Sequence, residues 1–199
     1  MLSDELVLGF DTSAAHCAAA LLCGDRILAA RAEDMARGQA ERLMGLLQEV
    51  LEEGGVTARD LSRIGVGVGP GNFTGIRISV AAARGLALSL EIPAFGVNGF
   101  EVISLTETAR HVPVISAPRD QVYAQAPGQP PALMDRDAVD ALGLPVTGLP
   151  DPRAHAICIA RCAAERDVSE YKAPVPLYIK PADAAVSRDK PPAIVDDIA

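Results

Sequence analysis

Two short loops carry the residues whose types and spacing could hold a phosphate. The first ends the segment "ELVLGFDTS", where Asp11, Thr12 and Ser13 place a carboxylate and two hydroxyl groups after an apolar strand. Asp11 could hold a metal ion or a phosphate-bound water there, or it could cap its own turn with Thr12 and Ser13. We favour the turn role for Asp11.

The second loop is rich in glycine and runs into an alanine-rich helix, in "GVGPGNFTGIRISVAAARGLALSL". It could cradle an anion, because a helix N-terminus offers free N–H groups and glycine lets a ligand approach the backbone. It lacks the lysine of a P-loop and the glycine spacing of a dinucleotide fingerprint. The other interpretation is a tight strand-to-helix turn with Asn72 or Thr74 as the N-cap. The residues assigned to this turn are Gly69, Pro70, Gly71, Asn72, Thr74 and Gly75.

Histidine and cysteine side chains offer the other candidate chemistry. His16, His111 and His155 are far apart in the sequence and none accompanies a nucleophile motif, so we predict no catalytic residue. His155, Cys158 and Cys162 fall at i, i+3 and i+7 of a predicted helix and could be three zinc ligands. We favour buried free thiols instead and predict no metal site. The HExxH motif of zinc proteases is absent, so no protease activity is expected.

Composition excludes several classes of function. The chain has 199 residues with a net charge of −8, which argues against broad contact with a nucleic-acid backbone. Aromatic residues make up only 4% and tryptophan is absent, so a base-stacking surface is not expected. The start lacks a basic segment followed by an apolar core, and no apolar run approaches the roughly 20 residues of a membrane span. We therefore expect a cytoplasmic protein without membrane contact.

The hydrophobic pattern predicts the elements that must position these residues. Strands and helices follow the order β-β-β-α-β-α-β-α up to about Ala109, with a bend at Gly24-Asp25 and a helix stop at Gly54-Gly55. This order predicts a mixed sheet with helices packed on it. Beyond it the signal weakens: "VPVISA" and "QVYAQAP" suit strands, "GQPPALMD" a loop, and "RDAVDAL" and "AHAICIARCAAE" helices. The tail from Lys172 is rich in proline and charge, and we expect it to be extended or partly disordered.

The helix after the glycine loop is apolar on two sides. One face carries Ile76, Val80, Ala83, Ala87 and Leu90, and the second carries Ile78, Ala81, Ala82, Gly85 and Leu86. A helix of this kind needs cover on both sides. Its own sheet can cover one side, and a second helix or another chain is needed for the other.

Several segments of the sequence resemble one known family. The segment "GVGPGNFTGIRISVAAARGLAL" closely resembles the "GPGSFTGLRIG…KGLA" signature of the TsaB (YeaZ) family. "LGFDTS" resembles that family's "AIDTS", "GQAERLMGLLQEVL" its "GHSE-LLP-I" helix, and "IPAFGVNGFEVIS" its "IP-GVSSLEALA". The resemblance is nearly continuous from Leu6 to about Leu105 and thins beyond that point.

The resemblance implies an α/β chain with the actin-like ATPase (ribonuclease H-like) fold. The N-terminal lobe, 1–109, would hold a mixed five-stranded sheet with flanking helices. Residues 110–199 would form a shortened second α/β lobe with the Pro-rich tail. In such folds the loop after the first strand holds phosphate, which is why Asp11, Thr12 and Ser13 are candidates.

The resemblance also implies a role in making threonylcarbamoyladenosine in tRNA, at the adenosine beside the anticodon. Members of the family are non-catalytic subunits that dimerise with and activate a TsaD-type transferase, in a complex that includes a TsaE-type ATPase. The chain would form a homodimer when alone and would meet tRNA only indirectly. No cofactor is expected, apart from weak or shared ATP or ADP binding at a subunit boundary.

The implied dimer interface uses the helices at about 39–53 and 73–89. Its candidate residues are Glu41, Arg42, Gly45, Leu46, Glu49, Arg77, Ile78, Ala81, Ala82 and Gly85. Arg77 and Arg84 lie on one helix face and could pair with a partner's carboxylates. The alternatives are a solvated surface or an intrachain pair with Glu41 or Glu49.

The alternative function is a small ATPase or phosphotransferase of the actin-like class. That activity needs carboxylates on two opposed phosphate loops. Where the family usually carries an acidic residue in the second loop this chain has Ser116, and Pro118 stands in place of an arginine. These departures weaken the ATPase alternative.

Overall fold

The computed structural model describes residues 5–179, and in that range the chain forms two β-sheets and five α-helices. The first sheet has the strand order β3-β2-β1-β4-β5. Its strands are β1 (Leu6–Asp11), β2 (His16–Cys23), β3 (Arg26–Asp34), β4 (Arg63–Gly67) and β5 (Ala94–Val97). Residues 172–179 contain no helix or strand, and the rest of the predicted Pro-rich tail lies outside the described residues.

The five-stranded sheet is mixed, as predicted. Strand β2 runs antiparallel to β1 and β3, whereas β4 runs parallel to β1 and β5. The bend between β2 and β3 uses Gly24 at a φ of 56°, a left-handed conformation that glycine adopts without strain. The α/β fold class with a mixed five-stranded sheet is therefore confirmed.

Two helices, α1 (Gln39–Glu53) and α2 (Phe73–Leu90), cover one face of this sheet. Side chains alternate between the two faces of a strand, so Leu8 and Phe10 of β1 join the apolar faces of both helices in one core. Helix α1 ends at Gly54, where the sequence predicts its stop, and Gly55 follows at a φ of 70°. The other face of β1 carries Val7, Gly9 and Asp11.

Helix α5 (Pro152–Ala164) covers that second face by approaching the backbone of the sheet closely. Gly9 of β1 and Gly65 of β4 pair side by side beneath it. A Cβ on Gly9 would lie 2.6 Å from the carbonyl oxygen of Ala156, which is closer than real Cβ atoms come. Two neighbouring glycines thus make room for a helix that comes from beyond residue 109. The division of the chain at residue 109 stays a prediction.

The second sheet has the order β8-β7-β6-β9 and is smaller. Two of its strands were not expected, because "ALMD" reads as loop and Val146–Thr147 is too short to show a pattern. Each forms through hydrogen bonds to a neighbouring strand, a tertiary effect that local sequence does not reveal. The strands are β6 (Val112–Ser116), β7 (Gln121–Ala124), β8 (Ala132–Asp135) and β9 (Val146–Thr147), and the helices nearby are α3 (Gly99–Thr106) and α4 (Arg136–Asp140).

Candidate functional site

The first loop and the glycine turn pack against each other. The amide of Asn72 donates to the carbonyl oxygen of Ser13 at 2.6 Å, and the hydroxyl of Thr12 donates to the carbonyl oxygen of Gly75 at 2.7 Å. A Cβ on Gly71 would collide with the Ser13 carbonyl, and one on Gly75 with the Thr12 carbonyl. The turn is rich in glycine because another backbone segment lies against it.

The start of helix α2 is capped from within the chain. The side-chain oxygen of Asn72 accepts from the amide of Gly75 at 2.8 Å, so Asn72 rather than Thr74 is the N-cap. Gly69 has a φ of 91°, where a side chain would be strained. Both features are what a structural turn requires.

The side chain of Asp11 is fully buried and bound on one oxygen by its own turn. Its Oδ2 accepts from the amide and the hydroxyl of Ser13 at 3.0 and 2.9 Å, and lies 2.7 Å from Nε2 of His16. Burial would raise the pKa of Asp11, but the hydrogen bond with His16 and the nearby His155 bring it below its usual value. Asp11 is therefore ionised at neutral pH, and the bonds to Ser13 support its turn role.

A buried histidine from helix α5 approaches the same carboxylate. Nδ1 of His155 lies 4.0 Å from Oδ2 of Asp11, and its ring meets that of His16 edge to face with centroids 6.2 Å apart. Burial lowers the pKa of His155, and the charge of Asp11 only partly opposes this. We therefore expect a neutral imidazole beside an ionised carboxylate.

Sequence reasoning did not bring Asp11, His16 and His155 together. The proximity of His16 to Asp11 follows from the antiparallel pairing of β1 and β2. Asp11 lies opposite Ala18, and His16, two residues before Ala18 on the same strand, lies on the same face of the sheet. The approach of His155 depends on α5 crossing the sheet and has no local signature. Within residues 5–179, the side chains of Asp11, His16 and His155 lie close enough together to be ligands of one metal ion. In the same range, His155, Cys158 and Cys162 do not form such a group. No disulfide bond joins the four cysteines, all of which lie within the described residues.

A cleft of about 500 Å³ opens between the two loops and the second sheet. It lies between Ser13 and Asn72 on one side and Ser116 and Tyr123 on the other. Among its described lining residues the charged one is Arg136, and none is a carboxylate. A nucleotide in this cleft would find no acidic side chain on the Ser116 side to hold magnesium. The phosphate role of Asp11, Thr12 and Ser13 stays a prediction.

The predicted interface residues of helix α1 divide into three groups. Glu41 and Gly45 are exposed, and Arg42 and Glu49 are half-buried. Leu46 is 0% exposed and lies in the core of the isolated chain, and its contact with a partner stays a prediction. The periodicity that marked Leu46 as apolar reports its contact with the sheet.

Charged side chains on α1 are tied to strand β3. Arg42 donates two hydrogen bonds to Glu33 at 2.8 and 2.6 Å and pairs with Glu49 at 2.8 Å. Arg31 pairs with Glu49 at 3.0 Å and with Glu53 at 2.8 Å. These bonds fix a charged border along one side of the exposed face of α1.

Helix α2 leaves part of its outer side exposed within the described residues, although Arg77 on that side is bonded to Tyr178. Ala81 and Gly85 are exposed, Ile78 and Ala82 are half-buried, and Leu88 is 83% exposed. A Cβ on Gly85 would meet no atom within 4 Å. The second apolar side of this helix is therefore only partly covered by α1, and a strip of small residues faces outward.

Arg77 contacts aromatic residues of its own chain and not the carboxylates of α1. Its guanidinium lies 3.8 Å from the centre of the Phe73 ring, and its Nε donates to the hydroxyl of Tyr178 at 3.0 Å. Within residues 5–179, neither Arg77 nor Arg84 forms an ion pair with Glu41 or Glu49. Because Glu49 already pairs with Arg31 and Arg42, its carboxylate is not available to Arg77 or Arg84.

Helix α2 also meets the length and composition of a membrane span, with a mean hydropathy of 1.2 over 18 residues. Such a helix is weak evidence for a membrane protein, because core helices pass the same test. Here Ile76, Val80, Ala83 and Ala87 lie in the core against the sheet. These four residues occupy the side of α2 that faces the sheet, and 33% of the 18-residue window is buried.

Comparison with known proteins gives three results. A family model described as "TsaD: tRNA N6-adenosine threonylcarbamoyltransferase" matches residues 31–174. The chain is 35% identical to the tRNA threonylcarbamoyladenosine biosynthesis protein TsaB of Bacillus subtilis, over 59% of this chain and 52% of that protein. It is 36% identical to the TsaB of Escherichia coli over 46% of this chain and 39% of that protein.

Solved structures agree on the fold. YeaZ from Pseudomonas aeruginosa matches with a TM-score of 0.66 at 25% identity, over 87% of this chain and 99% of that one. An uncharacterized protein from Pseudomonas aeruginosa with similarity to peptidase YeaZ matches with a TM-score of 0.71 at 24% identity, over 88% of this chain and 100% of that one. This chain spans about half the length of the curated relatives it matches. The model match covers well over half of the sequence, and the chain therefore belongs to the TsaD family, as a TsaB (YeaZ) type member of the actin-like ATPase superfamily.

Proposed function

We propose that this chain is a non-catalytic subunit that dimerises with and activates a TsaD-type transferase. The reaction would be threonylcarbamoylation of the tRNA adenosine next to the anticodon. The observation that carries this proposal is the uncovered outer side of α2, where Ala81, Gly85 and Leu88 form an exposed strip of small and apolar residues. Such a strip lets another helix approach closely, and apolar surface left exposed on a folded domain is typical of interaction sites.

The docking surface in this proposal combines the outer sides of α1 and α2. Gly45 and Met44 of α1 are exposed, Met44 by 51%, and they extend the apolar area. The pairs between Arg42, Glu33 and Glu49 provide a polar rim of the kind that surrounds the apolar centre of protein interfaces. A partner helix would lie along α2. The same surface would form a homodimer when the chain is alone.

The accessory role rests on the surroundings of the candidate phosphate-loop residues. The hydroxyl of Thr12 and the carboxylate of Asp11 are engaged inside the chain, and the cleft beside Ser116 has no acidic lining residue in the described range. Relatives of this chain are named as biosynthesis proteins of threonylcarbamoyladenosine. We propose that the chemistry belongs to the TsaD-type partner and that any ATP or ADP is weakly held or shared at a subunit boundary.

The remaining partners follow from the same proposal. A TsaE-type ATPase would join the complex of the two subunits. With a net charge of −8 the chain would meet tRNA only through its partner, since phosphate contacts need clustered basic side chains. The complex would work in the cytoplasm, where its tRNA substrate is.

The proposal is tested by rebuilding the reaction from purified components. A TsaD-type transferase with its substrates, a TsaE-type ATPase and unmodified tRNA is incubated with and without this chain, and the modified adenosine is measured by mass spectrometry. We expect modification only when chain and transferase are both present. Equal modification without the chain, or modification by the chain in the absence of the transferase, would overturn the proposal.

A further inference from the structure

Three ligand-type side chains from three different elements meet beneath helix α5. Asp11 ends strand β1, His16 begins strand β2, and His155 lies in the first turn of α5. Their exposed fractions are 0%, 6% and 3%. The three side chains thus form one buried cluster on the face of the sheet opposite the proposed docking surface.

We propose that Asp11, His16 and His155 form a binding site for a divalent transition metal, with Zn²⁺ as its ion. This site is separate from the proposed partner function, and neither depends on the other. Two imidazoles and one carboxylate are a donor set that suits zinc, and three protein ligands leave a fourth position for water.

The distances allow coordination after small side-chain movements. Oδ2 of Asp11 lies 2.7 Å from Nε2 of His16 and 4.0 Å from Nδ1 of His155, and the ligand atoms all fall within 4.8 Å of one another. Bonds of about 2.0–2.2 Å in a tetrahedral site place ligand atoms about 3.4 Å apart. The Asp11–His16 separation must lengthen by about 0.7 Å and the Asp11–His155 separation must shorten by about 0.6 Å, which requires small side-chain rotations.

Two buried polar atoms of these side chains lack a hydrogen-bond partner. They are Oδ1 of Asp11 and Nε2 of His155, and not the Oδ2 and Nδ1 atoms that face each other across the cluster. Buried polar atoms are nearly always paired in folded proteins, so two exceptions in adjacent ligand-type side chains call for a cause. A cation bound through either unpaired atom would supply its missing partner and offset the cost of burying it.

Binding of a cation at this site would also affect the fold. A bound Zn²⁺ would join β1, β2 and α5 and would stabilise the packing of α5 on the sheet by binding only the folded state.

The first test uses the wild-type chain after chelator treatment and dialysis. Calorimetry with Zn²⁺ should give one ion bound per chain, and the melting temperature should rise with free Zn²⁺ concentration. X-ray absorption of the zinc-loaded chain should show nitrogen and oxygen ligands with imidazole scattering. Sulfur ligands, or the lack of saturable one-to-one binding, would overturn the proposal even if no variant folds.

The second test compares ligand variants with matched controls. His16→Gln and His155→Gln should each weaken Zn²⁺ binding by more than the roughly 10- to 100-fold lost when an outer-shell partner is removed. His111→Gln, outside the cluster, and the double variant Cys158→Ser with Cys162→Ser should bind Zn²⁺ as the wild type does. Loss of Zn²⁺ binding in the double cysteine variant, or unchanged Zn²⁺ binding in His16→Gln and His155→Gln, would contradict the proposed site.

Discussion

Replacing Gly85 by arginine should abolish assembly with a TsaD-type transferase while the chain itself stays folded. Gly85 lies on the exposed side of α2, and a Cβ there meets no atom within 4 Å, so the isolated chain can accept a long side chain. A helix docked against Ala81 and Gly85 could not, because the arginine would hold the two backbones apart and bury a charge. We expect the dissociation constant to rise by at least roughly 100-fold, which corresponds to a loss of about 2.7 kcal/mol in binding free energy. Calorimetry or interferometry measures this constant.

Two further variants separate docking from folding. Gly85→Ala should stabilise the chain by about 0.5–1 kcal/mol, since glycine in a helix interior is less favourable than alanine, and should affect binding much less than arginine does. Ser104→Arg introduces the same side chain at an exposed position of α3, which packs with α5 on the other side of the sheet. It should bind the transferase normally. Equal affinity of Gly85→Arg and Ser104→Arg would place the interface elsewhere.

The second large effect is expected at Gly9, under helix α5. A Cβ there would come within 2.6 Å of both the Ala156 carbonyl oxygen and the Ala160 amide nitrogen. These are backbone atoms of a helix and cannot turn aside as a side chain would. Gly9→Ala should therefore push α5 off the sheet and lower the free energy of unfolding by about 3 kcal/mol, near the upper end of overpacking costs.

Thermal or urea denaturation measures the loss of stability in Gly9→Ala. For a chain of this size 3 kcal/mol corresponds to a fall of roughly 6–12 °C in the melting temperature. Gly148→Ala is the matched control, because Gly148 is exposed and its Cβ would meet nothing within 4 Å. An unchanged melting temperature for Gly9→Ala would mean that α5 does not approach β1 as described.

The N-terminal half of the fold is predictable from sequence because its signals are local. The apolar periodicity of Leu43, Leu46 and Leu47 marks the inner side of α1, and a glycine pair ends that helix. The bend at Gly24 and the cap at Asn72 are also set by residue type. Strands β8 and β9 are different, because they are held by pairing with β7 and β6 and carry little pattern of their own.

The candidate site was only partly accessible from sequence. The exposed side of α2 follows from an apolar pattern that one sheet and one helix cannot cover, so a docking surface could be expected there. The sequence does not reveal the burial of Leu46 or the ion pairs of Arg42 and Glu49 with β3, because they depend on how α1 packs on the sheet. The meeting of His155 with Asp11 is equally non-local, because it requires the glycine-lined approach of α5.

The central claim is that this chain associates with a TsaD-type transferase through α1 and α2. Sedimentation velocity of the two purified proteins, alone and mixed, tests it most directly. We predict a faster species that contains both chains in the wild-type mixture and its loss with Gly85→Arg. Two proteins that sediment in the mixture as they do alone would contradict the account.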